Sequence, residues 1–160
     1  YTSNHAGTLL PGIREYTVTP GEKTTTISGK GKAGLKQEEN YYFFYLPVCY
    51  KGITGKSYAY YNTSRSKNLY LPASVDENYS YDIQLPENLT LCTPIQEKKI
   101  DNPIGSFKIT LTSEGSSLHI ELALQIKKQL ITPAEYPAFR SLITEWTDRT
   151  RKPILFKTVQ

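Results

Sequence analysis

Thiol chemistry needs a cysteine, a histidine to take its proton, and a carboxylate or amide to orient that histidine, all within hydrogen-bond reach. The chain holds two cysteines, Cys49 and Cys92, and two histidines, His5 and His119. Cys49 follows Pro47 and Val48 in an apolar run rather than opening a helix, so nothing in its setting favours a reactive thiolate. His119 alternates with Leu118 and Ile120, which places it on the outward, solvated face of a strand. No catalytic residue is assigned on this basis, and the chain is read as non-enzymatic. Two cysteines and two histidines so far apart have no metal-ligand spacing, and no glycine-rich phosphate loop opens a helix. No metal and no cofactor are expected.

The cysteines leave two readings open. In an exported chain a Cys49–Cys92 disulfide would close a loop worth about 3–4 kcal/mol. The alternative is two small buried hydrophobes with free thiols. The richer signal is tyrosine: ten of the thirteen lie between positions 41 and 81. A tyrosine joins a flat apolar ring to a hydrogen-bonding tip, which suits a glycan or a peptide. Tyr58, Tyr60 and Tyr61 are the candidate binding residues, with Tyr58 and Tyr60 on one face of a strand and Tyr61 on the other. The same residues would equally serve cross-strand packing inside a sandwich.

The elements that must position these groups are mostly strands. Residues 1–34 are rich in Gly, Thr, Lys and Pro and read as a linker or edge arm, with strands near Tyr16–Thr19 and Thr24–Ser28. Residues 35–160 read as one β-sandwich domain. "YYFFYL" at 41–46 is apolar on both faces, as in a strand covered on both sides, and Pro47 ends it. "YSYDIQL", "SFKITLT" and "LHIELALQI" alternate apolar and polar residues, and "SEGSS" joins the last two as a hairpin. The period then changes. Tyr136, Phe139, Ile143 and Trp146 recur at spacings of three and four, which predicts an amphipathic helix of about three turns. Thr132, Pro133 and Glu135 look like its capped start, although Pro137 lets the regular helix begin later. "PILFKTV" predicts a final strand. The expected fold is an immunoglobulin-like antiparallel β-sandwich, with one short C-terminal helix capping an end or edge before the last strand.

Composition narrows the partners. Net charge is +4 and neither half is strongly basic, so nucleic-acid binding lacks electrostatic support. No run approaches the about 18 apolar residues of a membrane-spanning helix. The absence of methionine suggests a processed chain or an excised fragment.

From "YYFFYLP" through "YSYDIQLPENLTL" and "ELALQIKKQLITPAEYPAFRSLITEW" to "PILFK", the chain resembles the C-terminal β-sandwich domain of large bacterial transglutaminase-like proteins. The most specific run comprises Ile131, Pro133, Tyr136, Phe139 and Arg140. The resemblance implies an exported protein, periplasmic or at the cell surface, with a papain-like catalytic core in a domain that precedes this one. It implies an accessory role, with that preceding catalytic domain as the partner, and it carries no catalytic residue onto this chain.

Overall fold

The structure is a computed structural model that describes residues 15–21, 25–32, 34–48, 53, 61 and 63–158. Among the described residues it is mostly β, built from antiparallel strands, with one α-helix near the C-terminus before the last strand. The strands are β1 (Glu15–Pro20), β2 (Thr25–Lys30), β3 (Lys36–Glu38), β4 (Tyr41–Phe44), β5 (Leu69–Tyr70) and β6 (Val75–Gln84). They continue as β7 (Leu89–Leu91), β8 (Gln96–Asn102), β9 (Gly105–Glu114), β10 (Ser117–Ile126) and β11 (Leu130–Ile131). The helix α1 (Tyr136–Arg151) and β12 (Ile154–Thr158) close the chain.

The centre is the hairpin of β9 and β10. Each runs ten residues with strict alternation, so Phe107, Ile109 and Leu111 share a face with Leu118, Ile120, Leu122, Leu124 and Ile126. All eight of these side chains are buried. Gly115 makes the connecting turn with φ of 57°, a conformation that costs a residue without Cβ little. Flanked by β6 and β8, the hairpin forms a sheet in the order β6-β10-β9-β8. A second sheet has the order β3-β4-β12-β7.

The two sheets do not cover each other fully. Leu111, Leu118 and Ile120 pack with Leu46, Leu85, Leu89, Ile154 and Phe156 of the second sheet and its flanks. The other half of the same face, Phe107, Ile109, Leu122, Leu124 and Ile126, packs beneath the helix, against Tyr136, Phe139, Leu142, Ile143 and Trp146. The expected sheet-on-sheet packing is therefore confined to one half. The helix does not cap the sandwich; it supplies the rest of the second layer, because ten-residue strands outreach the four or five residues of β4 and β12. At 16 residues it is also longer than the three turns predicted.

The helix start combines both sequence readings. Residues 133–135 form a turn, and regular helix begins at Tyr136 with Pro137 in its first turn. The Glu135 carboxylate accepts from the Thr132 backbone N–H and from its hydroxyl, both at 3.0 Å. Lys128 and these Thr132 donors hold the Glu135 carboxyl down at about 2. Within the predicted arm, β1 and β2 pair with each other and with no other strand among the described residues. β8 was not expected from the sequence: in "QEKKIDN" only Gln96, Ile100 and Asn102 are half-buried, as befits an edge strand.

Gly105 lies opposite Ile126, close against the backbone of β10. A Cβ there would lie 1.8 Å from the Gln125 backbone oxygen, and backbone cannot swing aside. Gly105→Ala is expected to cost about 2 kcal/mol or more in chemical denaturation. Gly34→Ala, where a Cβ meets nothing within 4 Å, is expected to leave the midpoint unchanged.

Candidate functional site

The residues singled out by type do not converge. Cys92 follows β7 and is half-buried with a free thiol. Its backbone N–H donates to Leu155 O at 2.8 Å, which makes it part of the lacing along β12. Cys49, its partner in the disulfide alternative, lies outside the described residues, as do His5, Tyr58 and Tyr60. Tyr61 is half-buried. Its ring meets Phe139 edge-on at 5.5 Å, and its carbonyl accepts the Tyr136 hydroxyl at 2.7 Å. Tyr61 therefore packs at the margin of the helix-covered core rather than presenting a free ring.

His119 sits where the alternation put it, on the outer face of the first sheet and opposite Asp82 of β6. Its Nδ1 lies 2.7 Å from Asp82 Oδ1, and its Nε2 lies 3.7 Å from Glu121, which is itself bound to Lys108 at 3.1 Å. Asp82, with help from Glu121, raises the imidazole above its ordinary 6.5. This is a solvated ion-pair ladder on the outer face of the first sheet, whereas Cys92 follows β7 of the second. Among the described residues, no group of three His, Cys, Asp or Glu side chains is placed to hold a metal.

What the structure does bring together is an aromatic face. β4 lies between β3 and β12, with Phe43 opposite Leu155 and Lys36, and Tyr41 opposite Lys157 and Glu38. Directly opposed residues share a face. Tyr42 and Phe44 turn inward with Phe156 and Ile154. Tyr41, Phe43 and Leu155 turn outward, and Tyr45 continues the row. Tyr41 is 47% exposed and Tyr45 is 50% exposed, so the expectation that both faces of this strand are covered is corrected. Lys36 holds its ammonium 5.8 Å from the Tyr45 ring centre. Lys36, Glu38 and Lys157 rim the row with charge. A run of six apolar residues reads as two-sided burial, and only the register with charged neighbours shows that one side is wet.

The His119 environment yields a pH prediction. Because the folded pKa is raised, the pair stabilises the fold below the unfolded value near 6.5 and that contribution disappears as pH rises through the folded pKa. NMR titration of the His119 ring is expected to give a midpoint above 6.5 that falls in Asp82→Asn. An unchanged midpoint in that variant would contradict the pairing.

Comparison with solved structures finds a candidate protease from Parabacteroides distasonis, similar over 76% of this chain at 31% identity and a TM-score of 0.65. The match spans 24% of that protein's length. Comparison with curated proteins gives no match. The model of a family described as a domain of unknown function with a solved structure matches residues 40–156, a span from β4 to the middle of β12. The chain thus belongs to the DUF3858 family.

Proposed function

We propose that this domain is a non-catalytic accessory module of a longer, exported bacterial transglutaminase-like protein, and that it works by docking onto the catalytic domain that precedes it. The observation that carries this reading is the outer row of Tyr41, Phe43, Tyr45 and Leu155, an apolar surface outside both cores and rimmed by charge. Two exposed tyrosines beside the half-buried Phe43 and Leu155, with a charged rim, have the anatomy of an interaction surface. The chain enters the second sheet through β3, at the edge of this same face. A domain preceding this chain would be joined to β3 through residues 1–35, and tethering through one chain raises the effective concentration of the two domains without a strong intrinsic affinity.

Two further observations support the reading. The candidate protease that this chain resembles is about four times longer than the segment they share. Cys92 and His119 stand on different sheets, so the described residues supply no thiol-imidazole pair. Export to the periplasm or cell surface follows from the resemblance to transglutaminase-like proteins. A second reading, a glycan- or peptide-binding module, draws on the same exposed rings at Tyr41 and Tyr45, since tyrosine faces stack on sugars.

The upstream catalytic domain and this chain, expressed separately, are expected to associate in calorimetry. Replacing Tyr41 and Tyr45 together by serine is expected to weaken that association at least tenfold, about 1.4 kcal/mol, with the melting temperature unchanged. Undiminished binding by the double variant would contradict docking through this face. Amide hydrolysis by the isolated chain that disappears in Cys49→Ala would contradict the non-catalytic assignment. Binding of a glycan lost with the same two tyrosines would favour the second reading.

A further inference from the structure

Strands β1 and β2 form a ribbon that the rest of the domain does not use. They pair along their whole length, from Glu15 opposite Lys30 to Pro20 opposite Thr25, and with no other strand among the described residues. Thr17, Thr19, Thr25, Thr26, Ser28 and Lys30 are exposed, and the half-buried Ile27 belongs to neither core. The family span begins at residue 40, after both strands. A two-stranded ribbon with no third strand and no covering layer is marginal in water. The residues are nevertheless those of a sheet. Tyr16, Thr17, Val18 and Thr19 in β1, and Thr25, Thr26 and Ile27 in β2, are all aromatic or β-branched.

Each strand bonds its neighbour along one side. The other side of each, with its backbone N–H and C=O groups, meets no strand among the described residues. The two open sides differ. β2 holds Gly29 and ends at Lys30, with the exposed Lys32 two residues on. Glycine weakens a strand, and lysine is the residue that keeps an edge from pairing. β1 has neither, and its proline stands at the last position, where it interrupts no ladder. β1 is therefore the edge open to another strand.

The place of the ribbon in the chain selects the occupant. It lies before β3, in the stretch that would join this domain to one preceding it. A strand of that domain is held on the same chain at high effective concentration, which is what a marginal ribbon needs. A second copy of this chain has no such advantage.

We propose that β1 adds to an open sheet edge of the preceding domain, so that the ribbon completes that domain's sheet and not this one's. Main-chain hydrogen bonds carry the pairing, as in other strand additions. The inference rests on the reading of this chain as one module of a longer protein, but not on the aromatic row of β4.

The test is amide hydrogen exchange, resolved to single residues, in this chain alone and in the longer protein. In the chain alone, the β1 amides directed away from β2 are expected to exchange as in an open strand. In the longer protein they should slow at least a hundredfold, while the outward amides of β2 stay fast and those of β9 and β10 do not change. Slowing of β1 without protection of Tyr41 and Tyr45 would support strand addition and count against docking through the aromatic row. Protection of those tyrosines with β1 exchange unchanged would overturn strand addition and leave the docking face standing. Slowing at β2 in place of β1, or slowing in the chain alone that grows with its concentration and so reports pairing of two copies, would also overturn the proposal.

Discussion

Strands β9 and β10 carry one unbroken apolar face, and the rest of the domain is arranged to keep water from it. Eight buried side chains line up along that hairpin, and neither the second sheet nor the helix is long enough to cover them alone. The chain solves this by placing α1 and β12 in succession, joined through Lys152 and Pro153, so that one segment supplies both halves of the second layer. Trp146 and Phe139 anchor one half, and Phe156 and Ile154 the other, all at most 5% exposed. Truncating side chains this well buried typically costs about 3–5 kcal/mol, a large fraction of a domain's stability. The coupling also makes the helix a structural necessity rather than an ornament at one end.

This arrangement separates inside from outside by residue parity. On β4, Tyr42 and Phe44 complete the core while Tyr41 and Phe43 are released to the other face. One short strand therefore serves stability with one set of side chains and leaves the other set for contact. Tyr81 follows a related logic: it joins the core, burial pushes its phenol pKa up, and its hydroxyl donates to Pro47 O at 2.8 Å, which ties the end of the Tyr41–Val48 run to β6.

Much of this was legible in the sequence where local pattern decides the outcome. The alternation in β6, β9 and β10 fixed their faces, Gly115 marked the turn, and the spacing of Tyr136, Phe139, Ile143 and Trp146 marked the buried side of the helix. What escaped depends on partners distant in sequence. β8 carries three adjacent charged residues and becomes a strand only because β9 offers it an edge. The exposure of Tyr41 and Tyr45 follows from a register with β3 and β12, and β12 lies more than a hundred residues away.

Side-chain labelling of tyrosine tests most directly whether the outer face of the second sheet is the proposed docking surface. Tyr70, 67% exposed on β5 and outside the row, provides an internal reference. In the isolated chain, Tyr41, Tyr45 and Tyr70 should all be modified readily. In the longer protein proposed above, Tyr41 and Tyr45 should become protected at least tenfold relative to Tyr70. Equal labelling of all three tyrosines in both proteins would contradict the account.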